Sequence, residues 1–187
     1  MPPGRASGMA RIVYPQVVDT DLIEVVVEIP RGSRNKYEFD KERGVMRLDR
    51  VLFSSVHYPT DYGFITGTLA LDGDALDALL VVDEPTFPGC HVVARPIGVL
   101  DMRDEKGPDH KILCVPVGDP RFDEIRDLAG IGQHWLREIE NFFQTYKALE
   151  EKWTEVVGWE DVSAALRVIQ EARELHDRGL IVDSYLP

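Results

Sequence analysis

Short apolar–polar alternations, each closed by Gly, Pro or Asp, run through the first two-thirds of the chain. Every second residue from Ile23 to Ile29 is Ile or Val, which predicts a strand with one buried face. Patterns of this kind predict strands over Leu22–Ile29, Lys36–Asp40, Arg47–Phe53, Ala78–Val82, His91–Leu100 and Lys111–Val117. Many short strands at this spacing are typical of a closed or partly closed barrel rather than of a parallel α/β sheet.

The hydrophobic period changes in the last third of the chain. Apolar residues there recur at steps of three and four, which predicts amphipathic helices over about 134–149 and 161–175. Tyr146 and Leu149 complete the apolar face of the first helix, and Asp161 is the candidate N-cap of the second. The sequence therefore predicts a mainly β chain, in which a small barrel is covered by two C-terminal helices.

The charge balance restricts the partners that this chain can bind. It carries 21 basic and 33 acidic side chains, a net charge of −12. A surface of that sign repels phosphate backbones, so neither nucleic acid nor an anionic membrane is expected as a partner. An anionic substrate would need a cation between it and the protein, although an acidic surface kept for solubility would give the same charge. The longest apolar run, Ala78–Val82, is far shorter than the roughly 20 residues of a membrane helix.

Two further features set expectations about compartment and domain organisation. Cys90 and Cys114 form no C-x-x-C motif, and the first residues lack the apolar stretch of a signal peptide, so we expect a reducing cytoplasm. We expect residues 1–13 to be a mobile tail and residues 14–187 to form a single domain.

The segment Leu71–Asp77 places three carboxylates, those of Asp72, Asp74 and Asp77, around one glycine. An Asp-Gly hairpin turn would account for the pattern, but three anions this close repel one another unless a cation screens them. An EF-hand calcium loop does not fit, because Leu76 stands at a ligand position. These residues alone leave a metal site and a plain turn both open.

A second acidic cluster lies between Asp101 and Lys111. The Gly107-Pro108 turn inside it would let Asp104 and Asp109 project from the two ends of one loop. A charged hairpin tip with lysine partners would have the same sequence, and surface pairs of that kind contribute little. This cluster by itself is weak evidence for a metal site.

Basic and tyrosine side chains occur together in this acidic chain. They are Lys36, Arg50, Lys111 and Lys147, beside Tyr37, Tyr58, Tyr62 and Tyr146. An arginine fork, lysine point charges and tyrosine hydroxyls together suit phosphate binding, although Tyr62 and Tyr146 could each be core aromatics with a wet tip. The five histidines show no zinc-ligand spacing, so oxygen ligands and hence Mg²⁺ or Mn²⁺ are favoured over Zn²⁺.

The acidic segment Asp72-Gly-Asp74-Ala-Leu-Asp77 resembles the D-G-D-P-x-D signature of the family I soluble inorganic pyrophosphatases of bacterial type. Ala75 stands where that signature has proline, a change that removes no carboxylate. Seven more motifs occur in the order of the family: Val27-Glu28-Ile-Pro-Arg-Gly, Asn35-Lys36-Tyr-Glu38, Leu48-Asp-Arg50, Tyr58-Pro-Thr-Asp-Tyr62-Gly-Phe, Arg95-Pro-Ile-Gly-Val, Asp104-Glu-Lys-Gly-Pro-Asp109-His-Lys111, and Phe142-Phe-Gln-Thr-Tyr146-Lys147. The resemblance covers residues 22–176, most of the chain.

The resemblance implies a cytoplasmic enzyme on an OB-like five-stranded β-barrel flanked by two C-terminal helices. It implies Mg²⁺-dependent hydrolysis of pyrophosphate to two orthophosphates by direct attack of a metal-activated water. Mn²⁺ is expected to substitute for Mg²⁺, and Ca²⁺ to inhibit because it accepts looser coordination. The bacterial members are usually homohexamers, so we expect a homo-oligomer. The rival interpretation, an OB-like module that binds oligonucleotides, is disfavoured by the net charge of −12.

The resemblance also implies a role for thirteen residues, transferred motif by motif. The implied metal ligands are Glu28, Asp72, Asp77, Asp104 and Asp109. The implied phosphate-binding residues are Lys36, Arg50, Tyr62, Lys111, Tyr146 and Lys147, with Glu38 orienting its neighbours. Asp74 is the leading general base for the attacking water, and Asp109 is the alternative, since a ligand carboxylate can also accept a proton from that water.

Overall fold

The computed structural model describes residues 21–179, so the tail predicted over residues 1–13 lies outside the described residues. The single domain predicted over residues 14–187 extends past that range at both ends and stays a prediction. The strands are β1 (Ile23–Ile29), β2 (Asn35–Asp40), β3 (Val45–Val51), β4 (Asp61–Ile65), β5 (Asp77–Leu80), β6 (His91–Asp104), β7 (Gly107–Pro108), β8 (Lys111–Pro116) and β9 (Thr154–Glu160). The α-helices are α1 (Gln133–Thr145) and α2 (Val162–Asp177).

Five strands close into a ring in the order β1-β4-β5-β8-β6, and β6 pairs back onto β1. Every pairing in the ring is antiparallel except that of β5 with β8, which is parallel. The prediction of a mainly β fold with a five-stranded OB-like barrel and two C-terminal helices is confirmed. All six predicted strands occur, and β6 continues four residues beyond the predicted end at Leu100.

Two longer strands were not predicted, β4 inside the ring and β9 on its outside. The sequence of β4 contains Asp61 and Gly63, residue types that are depleted in strands. Gly63 is required there, because a Cβ atom at this position would lie 2.0 Å from the carbonyl oxygen of Val26 on β1. The strand β9 comes between α1 and α2 in the sequence, and it extends the sheet by pairing with β6.

Two hydrophobic clusters hold the helices against the sheet. Alternate residues of β5 point to opposite clusters: Leu79 to the cluster that includes α1, and Ala78 and Leu80 to the cluster that includes α2. The helix α1 contributes its buried residues Leu136, Ile139, Phe142 and Phe143, and α2 contributes Ala164, Ala165, Ile169 and Ala172. Within residues 21–179, neither helix has the length and the apolar character needed to cross a membrane.

The first helix ends earlier than its apolar pattern predicted. It stops at Thr145 rather than at residue 149, and Tyr146 is its C-cap. The chain then forms a 3₁₀ turn over Ala148–Glu150 and leaves it through Glu151, which has a left-handed φ of 55°. The prediction that Leu149 belongs to a buried helix face was wrong, since that residue is 66% exposed.

Candidate active site

A cleft of about 510 Å³ opens beside the ring of strands, between the β2–β3 hairpin, the start of β5 and the end of α1. All thirteen residues to which the family resemblance gives a role line it: Glu28, Lys36, Glu38, Arg50, Tyr62, Asp72, Asp74, Asp77, Asp104, Asp109, Lys111, Tyr146 and Lys147. Tyr37 and Tyr58, the other two tyrosines of the basic and tyrosine set, do not line it and pack in or against the hydrophobic core. The thirteen lining residues come from seven separate stretches of the sequence, so the fold brings them together. Their individual roles stay predictions.

The centre of the cleft is a buried lysine held by two carboxylates. The parallel strands β5 and β8 pair Asp77 with Lys111 in register, at the first residue of each strand. The ammonium nitrogen of Lys111 lies 2.6 Å from Oδ2 of Asp77 and 2.8 Å from Oδ1 of Asp109. It also donates to the hydroxyl oxygen of Tyr62 at 3.3 Å, and that hydroxyl in turn donates to Asp77.

Burial and neighbouring charges together set the pKa shifts of Lys111, Asp77 and Tyr62. The side chain of Lys111 is only 2% exposed, and burial alone would lower its pKa, but Asp77 and Asp109 outweigh burial and raise the pKa. Burial raises the pKa of Asp77, against the opposing effect of Lys111. Burial, with Asp77 next in effect, also raises the pKa of Tyr62, so its hydroxyl remains protonated and can donate a hydrogen bond. The cleft therefore holds a charged lysine and a neutral tyrosine side by side.

A second lysine–carboxylate pair lies where β6 ends. Asp104 is the last residue of β6, and its Oδ1 accepts a hydrogen bond from the backbone N–H of Lys106 at 2.9 Å. Its Oδ2 lies 3.0 Å from the ammonium of Lys147. Burial would raise the pKa of Asp104, but these two partners together lower it. Tyr146, next to Lys147, is 5% exposed and packs its ring on Phe142 at a centroid distance of 5.2 Å.

The remaining carboxylates come from β1 and from the loop before β5. Glu28 accepts a hydrogen bond from the backbone N–H of Phe39 at 2.8 Å, which ties β1 to the β2–β3 hairpin. Burial raises the pKa of Glu28 to about 7, although that hydrogen bond opposes the shift. In the loop, Oδ1 of Asp72 accepts from the backbone N–H of Asp74 at 3.1 Å across Gly73, whose φ of 89° only glycine adopts readily.

The β2–β3 hairpin supplies the basic wall of the cleft. Lys36 on β2 donates to Glu38, and the neighbouring strand carries Arg50. The two terminal nitrogens of Arg50 lie 2.5 Å from Asp49 and 2.8 Å from Glu150. Sequence reasoning missed Glu150, because it falls just beyond the predicted end of a helix that in fact stops five residues before it. No periodicity or motif distinguishes that residue.

The donor set fits a hard divalent cation, because it consists of carboxylate oxygens and no sulfur. Glu28, Asp72, Asp77, Asp104 and Asp109 all face the cleft. Within residues 21–179, however, no three His, Cys, Asp or Glu side chains already converge as a metal group. Lysines instead hold three of these five carboxylates, those of Asp77, Asp109 and Asp104. A cation that binds here would compete with those ammonium groups.

Comparison with known proteins assigns the chain to a family. The family profile described as "Pyrophosphatase: Inorganic pyrophosphatase" matches residues 25–177. The chain belongs to the inorganic pyrophosphatase family. The inorganic pyrophosphatase of Methanosarcina mazei is 57% identical over 150 residues, which cover 80% of this chain and 89% of that protein. The inorganic pyrophosphatase of Synechocystis is 55% identical over 150 residues, with the same coverage of 80% and 89%.

Solved structures of inorganic pyrophosphatases share this fold. The crystal structure of the Thermus thermophilus inorganic pyrophosphatase superposes with a TM-score of 0.83 at 44% identity, covering 86% of this chain and 94% of that one. The Helicobacter pylori inorganic pyrophosphatase gives a TM-score of 0.83 at 41% identity, with 85% and 95% covered. The family predicted from the sequence motifs is therefore confirmed over most of the chain.

Proposed function

We propose that this chain hydrolyses inorganic pyrophosphate to two orthophosphates by direct attack of water, with Mg²⁺ as its cofactor. The chain is an enzyme of the inorganic pyrophosphatase family, and pyrophosphate is the substrate of that family. The observation that carries the proposal is the arrangement of cations and carboxylates around one cleft, at whose centre Lys111 lies within 2.8 Å of both Asp77 and Asp109. An anionic substrate needs the cations, and a divalent metal needs the carboxylates.

Phosphate binding falls to the basic and hydroxyl groups of the cleft. Lys36 and Arg50 line the cleft from the hairpin, and Lys147 lines it from just beyond the end of α1. Lys111 and the hydroxyl groups of Tyr62 and Tyr146 complete the set. Arginine binds two phosphate oxygens in a fork, whereas lysine acts as a point charge that follows the phosphate. Glu38 keeps Lys36 in place through their ion pair.

The carboxylates hold the metal and accept the proton. Glu28, Asp72, Asp77, Asp104 and Asp109 are the residues that would bind Mg²⁺, which when bound supplies charge neutralisation and a lowered pKa of water. Asp74 is the leading proton acceptor, because its side chain is 67% exposed in the cleft and its ion pair with Lys41, at 3.3 Å, is exposed as well, so a water molecule can reach the carboxylate. Asp109, already engaged by Lys111, is the alternative. Phosphoryl transfer of this kind depends on positioning and charge stabilisation, so no Ser, Cys or His nucleophile is needed.

Two further parts of the proposal concern assembly and location. We propose a homo-oligomer, a hexamer by family resemblance, because several large apolar side chains are exposed on the single chain. They are Phe53, Phe87, Val93, Trp153 and Val157, each at least 53% exposed. Light scattering coupled to size-exclusion chromatography measures the number of chains directly.

The cytoplasmic location rests on the two free cysteines, and fractionation of cells that express the tagged chain tests it.

Phosphate release from pyrophosphate tests the function and the cofactor together. Activity should vanish in EDTA, return with Mg²⁺ and return in part with Mn²⁺. Ca²⁺ should inhibit, because it coordinates at about 2.3–2.6 Å against about 2.0–2.1 Å for Mg²⁺ and polarises water less. Full activity in metal-free buffer would contradict the metal requirement, and a wild-type chain that releases no phosphate would contradict the proposal as a whole.

A further inference from the structure

We propose that Glu150 is a positioning residue, which holds the guanidinium of Arg50 in the orientation that binds phosphate. One carboxylate oxygen of Glu150 lies 2.8 Å from Nη2 of Arg50, and the side chain of Glu150 is only 5% exposed. On the other side of the same guanidinium, Nη1 of Arg50 lies 2.5 Å from Asp49. The inference rests on the proposed function, in which Arg50 binds pyrophosphate.

The backbone delivers Glu150 to this position by an irregular path. The chain leaves α1 at Thr145, and Glu150 donates its backbone N–H to the carbonyl of Lys147 at 2.8 Å in the 3₁₀ turn. The next residue, Glu151, is the one non-glycine residue between 21 and 179 with a positive φ, a conformation that costs free energy. The chain accepts this strain at the point where the turn presents Glu150 to Arg50.

The ion pair joins two parts of the cleft that belong to different sheets and helices. Arg50 is on β3, which among residues 21–179 pairs with β2 alone, in a sheet of two strands separate from the barrel. Glu150 lies three residues after Lys147, which lines the cleft together with Tyr146 just beyond the end of α1. The Arg50–Glu150 contact therefore fixes the distance between the phosphate-binding groups of the hairpin and those of the helix end.

The hydrogen bonds of the guanidinium show why an orienting partner is useful. Arginine has five N–H donors in a rigid plane, and the contacts to Asp49 and Glu150 define that plane while occupying two of them. Nε of Arg50 and Oε1 of Glu150 are both buried without a hydrogen-bond partner among the described residues. A buried ion pair with unsatisfied atoms contributes little to stability, so its role is better explained by the position that it gives to Arg50.

Alanine substitution tests the inference by separating binding from chemistry. Glu150→Ala should raise KM for pyrophosphate about 10-fold and change kcat less than about threefold, because a guanidinium that is free to rotate binds the substrate less well. Glu150→Gln keeps an acceptor oxygen of the same reach and should recover part of the loss. Glu138→Ala, which removes an exposed carboxylate on α1, is the matched control and should leave both constants unchanged.

A double-mutant cycle distinguishes positioning from a general structural role. In an Arg50→Ala background, Glu150→Ala should have no further effect on KM, since no guanidinium remains to be held. Calorimetric binding of methylenediphosphonate in Mg²⁺ gives the same comparison without turnover. Additive losses, or binding by Glu150→Ala equal to that of the wild type, would overturn the inference while leaving the proposed function intact. If Glu150→Ala fails to fold, Glu150→Gln takes its place in the cycle, and a rise in KM that is equally large with and without Arg50 would overturn the inference. An inactive wild type would overturn the proposed function itself.

Discussion

The ammonium nitrogen of Lys111 lies 2.6 Å from a carboxylate oxygen of Asp77, with the two residues paired in register at the start of parallel strands. The same ammonium lies 2.8 Å from Asp109, so one lysine that is only 2% exposed neutralises two carboxylates. Under the proposed function this lysine would have two roles, to bind pyrophosphate and to keep the two carboxylates together in the absence of metal. Replacement of Lys111 in the metal-free protein tests the second role by itself.

Replacement of Lys111 by methionine should destabilise the metal-free protein. With EDTA present, Lys111→Met should lower the free energy of unfolding by about 3 kcal/mol, because breaking a buried ion pair leaves its charged partners uncompensated. Mg²⁺ should restore more stability to this variant than to the wild type, since a cation then replaces the lost ammonium. Urea denaturation measures both effects. Lys106→Met, at an exposed position on the nearby turn, is the control and should stay within about 0.5 kcal/mol of the wild type.

Asp77 and Asp83 lie on the same segment of chain, so their variants compare a predicted metal ligand with a surface carboxylate. Asp77→Asn should cut the rate by at least about 100-fold and weaken metal binding. Loss of a residue that hydrogen-bonds to a metal ligand costs up to about 100-fold in activity, and loss of the charge of the ligand itself should cost at least as much. Asp83→Asn should leave the rate nearly unchanged, since Asp83 is exposed, faces away from the cleft and pairs with Arg121 at 2.9 Å. Rates at several Mg²⁺ concentrations provide the measurement. Equal behaviour of the two variants would contradict the assignment.

The identity of the proton acceptor can be read from the metal dependence of two variants. As general base, Asp74→Asn should lower the maximal rate at saturating Mg²⁺ by about 10²–10⁴-fold and change the acid limb of the pH profile. As ligand, Asp109→Asn should raise the Mg²⁺ requirement and recover in part at high metal. The structure favours this division, because Asp109 is held by Lys111 whereas Asp74 has one exposed contact, to Lys41 at 3.3 Å. Rescue of Asp74→Asn by Mg²⁺, without rescue of Asp109→Asn, would assign the base to Asp109.

Glu28 gives the metal-free protein a specific pH dependence. Its pKa rises from 4.5 to about 7 on folding because of burial, so the unfolded chain ionises first as the pH rises. The free energy of unfolding should therefore fall between about pH 4.5 and 7, by up to about 3 kcal/mol, and level off above that range. Glu28→Gln keeps the acceptor for the N–H of Phe39 and should lack this fall. Chemical denaturation in EDTA across the pH range measures the effect.

A matched control for this titration is Glu42→Gln, which removes an exposed carboxylate from the turn between β2 and β3. It corrects for the change in net charge that Glu28→Gln also makes. A Glu28→Gln curve parallel to that of the wild type over the whole pH range would contradict the prediction.

The sequence predicted the barrel because apolar and polar residues alternate along most of its strands. Ile23 to Ile29 is an example, where every second side chain is apolar and becomes buried. The strand β4 was missed because its buried Asp61 and its Gly63 are dictated by neighbours distant in sequence. Gly63 is needed for close approach to β1, and Asp61 accepts hydrogen bonds from the backbone N–H groups of Arg31 and Thr86. Local propensity carries no information about such contacts.

The candidate site was predictable where several of its residues lie close together in the sequence. The three carboxylates between Asp72 and Asp77 lie within six residues, and the structure places all three on the cleft. Glu150 had no such signal, because a helix with an apolar face was expected to run up to it. The sequence could not show that α1 stops at Thr145, since the stop depends on a turn with a left-handed residue at Glu151. A single acidic residue after a helix is too common a pattern to suggest a role.

The parallel pairing of β5 with β8 joins two segments that leave the ribosome at different times during synthesis of the chain. Asp77 leaves the ribosome 34 residues before Lys111, so the nascent acidic loop carries its charge without the lysine that will neutralise it. Neither the counter-ion nor the closed barrel exists until β8 has emerged and inserted between β5 and β6. Tight divalent-cation binding should therefore begin only with nascent chains long enough to place β8. A truncated chain that ends before Lys111 would carry the signature motif and yet have no assembled site.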